Sequence, residues 1–143
     1  MNATTARLAL LALGLGAVAP RPAAAQTAAD STAVIATALD YIEGWADGDP
    51  ERMRRALHPE LVKEIREGEG RIRTSSAEEL ISMTGMKGPD ADEAADYRDR
   101  TRLLTMYGDV AAVRIDAPQW VDLLHLVRTE EGWKILQVLW ELR

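Results

Sequence analysis

The spacing of apolar residues changes once along the chain, near Tyr97, and this change limits the possible folds more than any other feature. Before it, apolar residues recur with the 3.6-residue period of helices. After it, β-rich runs alternate with short turns, and they cover residues 101–107, 110–116, 120–128 and 133–142. Because connections this short make neighbouring strands antiparallel, helices followed by a meander sheet predict an α+β domain.

The helical half is expected to begin with a long helix and a short one. The apolar residues of the long helix share one side: Val34, Ala38, Tyr41, Ile42 and Trp45. This helix is expected to end at Gly48, where glycine tolerates a left-handed cap, and Asp49 and Pro50 are typical of the start of a second helix. The second helix is expected to close at His58-Pro59, since a residue before proline avoids the α region. Because Tyr41 lies on the apolar side of the long helix, we expect it to face the interior.

Two further elements are expected before the change of period. Residues 61–73 are compatible with a short hairpin that has a glycine-containing turn. Ser76 and Glu79 have the spacing of a capping box, which opens a third helix. We expect this helix to run through Met83 and to end at Gly85.

The first 25 residues are expected to be a secretory signal peptide. Arg7 precedes a run of twelve apolar residues at 8–19, and Ala23 and Ala25 form an A-x-A cleavage site. The run is shorter than the roughly 20 residues that a spanning helix needs. We therefore predict export to the periplasm or the medium after cleavage near Ala25, with residues 26–143 as a single domain.

The charge balance argues against nucleic acid and anionic membranes as partners. The chain has 17 Lys and Arg against 23 Asp and Glu, and loss of a leader with two arginines and no acid changes the net charge from −6 to −8. The absence of cysteine excludes disulfides and thiolate chemistry. His58 and His125 lie 67 positions apart, which is not the spacing of a transition-metal site. No metal or other cofactor is expected.

The last strands are apolar on both faces. In the run 120–128, Trp120, Leu124 and Leu126 point one way, and Val121, Leu123, His125 and Val127 point the other way. In the final run, Ile135 and Leu139 oppose Leu136, Val138 and Trp140. Three helices cannot cover both faces of such a sheet, so we predict a homodimer joined through the outer sheet face. A larger intramolecular cover or an exposed patch is the alternative.

Six segments occur in a distinctive order: DYIEGWADGD at 40–49, RMRRALHP at 52–59, AEEL at 77–80, YGDVA at 107–111, VDLLHL at 121–126 and GWKI at 132–135. Together they resemble the lumazine-binding, SnoaL-like branch of the nuclear transport factor 2-like superfamily. The resemblance implies a cone-shaped domain in which a curved antiparallel sheet wraps around the first of three N-terminal helices and leaves a pocket at the open end. That superfamily holds isomerases, cyclases, dehydratases and non-enzymatic modules, so the fold does not determine the function.

The resemblance also implies candidate site residues. Tyr41 matches the first-helix tyrosine that ketosteroid isomerases use to donate a hydrogen bond to a developing oxyanion. His125 falls where those enzymes place a second donor on a late strand. Their catalytic aspartate corresponds to Ile65, with Glu64 beside it on the opposite strand face, so a matching base is missing. Tyr41 and His125 can equally be core residues with satisfied hydrogen bonds.

Three functions from different classes remain open. The favoured one is an exported module that binds a small apolar or aromatic ligand in a hydrophobic pocket. Its pocket is expected to be lined by Tyr41, Trp45, Leu123, His125 and Trp140. The second is an isomerase, dehydratase or cyclase-type enzyme, in which Tyr41 and His125 are oxyanion donors and Glu64 or Asp122 is the base. The third is a non-catalytic dimerisation or interaction domain whose own side chains fill the pocket.

Overall fold

Three helices pack on one six-stranded sheet in the computed structural model, which describes residues 28–90 and 96–143. The expected signal peptide at 1–25 lies outside the described residues. The helices are α1 (Ala28–Asp47), α2 (Pro50–Ala56) and α3 (Ala77–Lys87). The strands are β1 (Leu57–Arg66), β2 (Ile72–Ser76), β3 (Thr101–Tyr107), β4 (Val110–Asp116), β5 (Trp120–Thr129) and β6 (Gly132–Leu142). The predicted α+β class with three helices is confirmed, and none of these helices is long and apolar enough to cross a membrane.

The sheet is curved and unclosed, with strand order β2-β1-β6-β5-β4-β3. The predicted hairpin is β1 and β2, and the predicted four-stranded meander is β3 to β6. The two parts join through β1 and β6, which run parallel, so one pair departs from the expected antiparallel sheet. Parallel neighbours need a long crossover, and here β2, α3 and three meander strands lie between them.

Helix α1 packs against the inner face of the sheet and forms the centre of the core. Val34, Ala38, Tyr41 and Ile42 are at most 2% exposed, as their spacing predicts. The opposing sheet residues alternate along their strands between buried and exposed positions, which is the period-2 pattern of a sheet with one covered face. The core therefore lies between α1 and one side of the meander.

The break between α1 and α2 has the predicted chemistry. Gly48 has a φ of +65°, and the Asp49 carboxylate accepts hydrogen bonds of 3.0 Å from the backbone N–H groups of Glu51 and Arg52. A Cβ atom at Gly48 would lie 2.2 Å from the carbonyl carbon of Gly88. Glycine is thus required here both by the backbone conformation and by the close approach of the end of α3.

Two helix ends differ from the expectation. Strand β1 begins at Leu57, one residue before the expected close of the second helix. Helix α3 has the predicted capping box but continues past Gly85 and ends at Lys87, with Gly88 as its C-terminal cap. A Cβ atom at Gly85 would lie 3.4 Å from the ring of Pro50, which is an ordinary van der Waals contact. Gly85 is thus an interior residue of α3 that faces α2, and it is not a helix end.

A bulge in β6 changes which of its side chains face the core. His125 on β5 pairs with Gln137, but Leu126 pairs with Ile135, so Leu136 is an extra residue in β6. Strict alternation placed Ile135 opposite Val138 and Trp140. The bulge brings all three to the inner face, where Ile135 and Val138 are completely buried and Trp140 is half-buried.

The outer face of the sheet carries large apolar side chains that are partly exposed. Val62 is 42% exposed, Leu123 40%, Leu139 48% and Val110 54%. No helix within residues 28–90 and 96–143 covers this face, because the buried residues of all three helices pack in one core with the residues of the opposite face. The expectation of an uncovered outer face agrees with this arrangement.

Candidate ligand-binding site

A cavity of about 290 Å³ lies between α1, α3 and the inner face of the sheet. Its walls are mostly apolar. Aromatic rings come from Tyr41, Trp45, Trp120 and Trp140, aliphatic side chains from Ile42, Leu80, Met83 and Leu142, and polar groups from Lys63, Arg73, Ser75 and Gln119. A concave apolar space with few polar groups is the usual form of a small-molecule site.

Strand pairing explains why residues distant in sequence meet at this cavity. Ser75 of β2 pairs directly with Lys63 of β1, and Arg73 lies two residues from Ser75. On the meander side, Trp140 of β6 pairs with Asp122 of β5. Directly paired residues, and residues two apart on one strand, share a face of the sheet. The strand register therefore brings several polar side chains together on an otherwise apolar face of the sheet.

A polar cluster joins three residues of the cavity wall, Lys63, Tyr41 and Trp120, to Asp122 behind it. The Lys63 ammonium donates a 2.6 Å hydrogen bond to the Tyr41 hydroxyl and lies 3.4 Å from a carboxylate oxygen of Asp122. The Tyr41 hydroxyl donates to the same oxygen over 3.4 Å, and the Trp120 indole N–H donates to the other oxygen over 2.8 Å. Asp122 is completely buried, so its charge depends on these three partners.

The Lys63 ammonium also lies between two aromatic rings. It is 5.3 Å from the centroid of Tyr41 and 4.9 Å from that of Trp140. Aromatic faces with a nearby carboxylate are a recurrent way of binding a cation, and here the cation belongs to the protein itself. The Arg73 guanidinium lies 6.0 Å from the Trp140 centroid, and its Nε donates to Glu67 over 2.7 Å.

Burial raises the pKa of Tyr41 well above its ordinary value, and the charge of Asp122 and the hydrogen bond to it raise that pKa further. The hydroxyl therefore stays protonated at neutral pH. Its proton is directed at Asp122, and one of its lone pairs accepts from Lys63. In this arrangement the Tyr41 hydroxyl holds the Lys63 ammonium in place. The hydroxyl proton is engaged by Asp122 and is not directed at a ligand.

Three of the five expected pocket residues line the cavity, namely Tyr41, Trp45 and Trp140. Leu123 and His125 do not, because both side chains are exposed on the outer face. The alternate residues of the same strand, Asp122 and Leu124, face inward and are completely buried. The expected pocket lining is corrected accordingly. Strand alternation places Leu123 and His125 on one face of the strand but does not indicate whether that face is the inner or the outer one.

The four candidate catalytic residues separate into two pairs on opposite faces of the sheet. Tyr41 and Asp122 meet at the cavity. Glu64 and His125 lie on the outer face, where Gln137 joins them through contacts of 3.0 Å to the His125 Nδ1 and 3.0 Å to a Glu64 carboxylate oxygen. The structure therefore does not bring Tyr41 and His125 to one ligand, and the expected pair of oxyanion donors is not formed.

Lys63 and Arg73 were not expected at the site. A signal for Lys63 existed, since it lies between Leu61 and Ile65 at strand spacing and both neighbours are buried on the inner face. Arg73 had no such signal, because β2 is an edge strand with little buried surface. Within residues 28–90 and 96–143, no group of three His, Asp or Glu side chains is placed to hold a metal ion.

Solved structures share this fold. A protein of unknown function from Shewanella baltica OS155 superposes with a TM-score of 0.69 at 17% identity, covering 80% of this chain and 94% of that chain. A protein from Methylobacillus flagellatus KT gives 0.65 at 19% identity, covering 82% and 94%. One from Silicibacter pomeroyi DSS-3 gives 0.61 at 21% identity, covering 80% and 94%. All three are described as nuclear transport factor 2-like, and the present fold is of this class.

The family follows from the sequence itself. The sequence model of the family described as "Putative lumazine-binding" matches residues 29–141. The chain belongs to this family, which confirms the resemblance found in its six segments. Among curated proteins, none matches the chain.

Proposed function

We propose that this chain is a small-molecule-binding module and that its ligand occupies the cavity between α1, α3 and the inner sheet face. The observation that carries this proposal is a space of about 290 Å³ with four aromatic rings in its wall and a few polar groups directed into it. Ligand pockets usually measure about 300 to 1,000 Å³, so the ligand is small. The family description names ligand binding and supports the same class of function.

Binding is favoured over catalysis because the cavity wall lacks a free base. Among the described residues that line it, none is an acid or a histidine. Asp122 lies behind the wall and is engaged by Lys63, Tyr41 and Trp120. A proton-abstracting group would need an unengaged lone pair within hydrogen-bond reach of the substrate. The third expected class, a pocket filled by its own side chains, is disfavoured by the open space.

The ligand can be tested with a variant that fills the cavity. Met83 lines the cavity from α3, whereas Met86 lies one turn further along the same helix and is 77% exposed. Native mass spectrometry of protein purified from its own source should show a co-purifying small molecule in the wild type and in Met86→Trp. Met83→Trp should lose it, because an indole would occupy the space. Retention of the molecule by a folded Met83→Trp variant would refute the proposed site.

We also propose that the chain is exported and cleaved near Ala25. The proposal is supported by the pattern of Arg7, the apolar run at 8–19 and the A-x-A site. The intact mass of the protein recovered from the periplasm or medium of its source should correspond to a chain that begins at Gln26. A cytoplasmic protein that keeps residues 1–25 would contradict export.

A further inference from the structure

We propose that the cavity selects a small aromatic or apolar carboxylate, whose anionic group is held by Lys63 and Arg73. This inference rests on the proposed binding function, because it names the ligand class for the same cavity. The charge of the cavity wall is opposite in sign to the net charge of the chain. The chain as a whole has an excess of acids, yet both charged residues in the cavity wall are cations.

The acids near these cations are turned away from the cavity. Asp122 lies beneath Lys63, with no exposed surface. Glu67 approaches Arg73 from the turn between β1 and β2 and accepts a hydrogen bond from its Nε–H alone. An ammonium has three N–H bonds and a guanidinium five. Tyr41 and Asp122 use two of those on Lys63, so both cations keep donors for a ligand.

The two cations differ in depth, which gives each a separate part in binding. The Lys63 side chain is 14% exposed and the Arg73 side chain 49% exposed, so Lys63 lies inside and Arg73 lies nearer the solvent. Both are close to the ring of Trp140, at 4.9 and 6.0 Å from its centroid. A flat apolar ligand can therefore pack on the aromatic wall while its anionic group meets a cation. Charge-assisted hydrogen bonds of this kind are stronger than neutral ones.

The same geometry disfavours a cationic ligand. The position that a ligand ammonium would take, above Tyr41 and Trp140 and beside Asp122, is already occupied by Lys63. A second ammonium in this cavity would meet a like charge without a free carboxylate to compensate it. The cavity is thus complementary to anions.

Three probes of matched shape test the charge preference by isothermal titration calorimetry at pH 7 and constant salt. They are naphthalene-1-acetate, naphthalene-1-acetamide and 2-(1-naphthyl)ethylammonium, with charges of −1, 0 and +1. The acetate should bind at least about tenfold more tightly than the amide, and the ammonium should bind most weakly. This ratio corresponds to about 1.4 kcal/mol.

Variants assign the preference to the two cations. Arg73→Gln should reduce the preference for acetate over amide several-fold, and Arg73→Lys should restore part of it. Arg71→Gln is the matched control, because Arg71 also pairs with Glu67 but is 77% exposed and does not line the cavity. For Lys63 the double variant Lys63→Met/Asp122→Asn avoids leaving a buried carboxylate unpaired, and it should also reduce the preference for acetate over amide several-fold, because only Arg73 remains to hold the anionic group.

The outcomes separate this inference from the binding function on which it rests. Equal affinity of the wild type for acetate and amide, or tightest binding of the ammonium, overturns the carboxylate assignment and leaves the binding module intact. Retention of the full preference by both folded Arg73→Gln and the double variant overturns the roles of these residues. Failure of all three probes to bind overturns both proposals.

Discussion

The hydroxyl of Tyr41 links the stability of the protein to pH, since the side chain is only 2% exposed and its pKa is raised by burial. An unfolded tyrosine ionises near pH 10, whereas the folded Tyr41 stays protonated there. Its contribution to the free energy of unfolding is therefore complete below about pH 10 and falls as the pH rises further through the folded pKa. Urea denaturation at pH 8 and pH 10.5 should show this fall in the wild type and a smaller one in Tyr41→Phe. Tyr107→Phe, which removes an exposed hydroxyl, should keep the wild-type slope.

Of the glycines within residues 28–90 and 96–143, Gly48 is the one at which an added methyl group should cost most. Its φ is positive, and the added Cβ would overlap the backbone of Gly88. We expect Gly48→Ala to lower the free energy of unfolding by at least about 3 kcal/mol. Gly108 is the matched control, since its φ of +57° is also positive but no atom lies within 4 Å of its added Cβ. Gly108→Ala should cost about 1 kcal/mol. Equal losses in chemical denaturation would contradict the role of the contact with Gly88.

Arg52 joins α2 to α1 through ion pairs with three carboxylates of α1. Arg52 donates to Asp40 over 2.9 Å, to Asp47 over 3.2 Å and to Glu43, and its side chain is 25% exposed. Arg52→Met should destabilise the protein by about 1 kcal/mol, because several carboxylates lose a shared partner. Arg54→Met, on the same helix but paired only with Glu51 at the surface, should cost less than about 0.5 kcal/mol. A thermal melt that shows equal losses would contradict this difference.

The elements themselves were largely predictable from local sequence. The four meander strands match their expected bounds to within one residue, since short turns fix where a strand can end. The bulge at Leu136 and the parallel pairing of β1 with β6 were not predictable, because neither depends on local composition. The residues of the site also divide into those that local sequence predicts and those that it does not. Tyr41 and Trp45 follow from helix periodicity and the inward direction of Lys63 from strand spacing, whereas Arg73 reaches the cavity only through the pairing of β2 with β1.

At the scale of the whole molecule, we propose that two chains associate through the outer sheet face. Val62, Leu123 and Leu139 are exposed there, and burial of such side chains is a main driving force of association. Sedimentation equilibrium should give twice the mass of one chain at micromolar concentration, and Leu139→Glu should give a single chain. Met86→Glu, on exposed surface of α3, should remain dimeric. A wild-type mass of one chain would overturn the dimer.

The bulge at Leu136 has a consequence for how relatives of this protein can diversify. Leu136 has no partner of its own on β5, because Leu126 pairs with Ile135 and the preceding residue, His125, pairs with Gln137. Loss of residue 136 would leave these pairs adjacent in a regular ladder, in which Ile135, Val138 and Trp140 still point inward. The length of β6 can therefore differ by one residue at this position among relatives without a change in the side chains that reach the cavity. A variant with residue 136 deleted should keep its helices by circular dichroism and should retain the co-purifying small molecule.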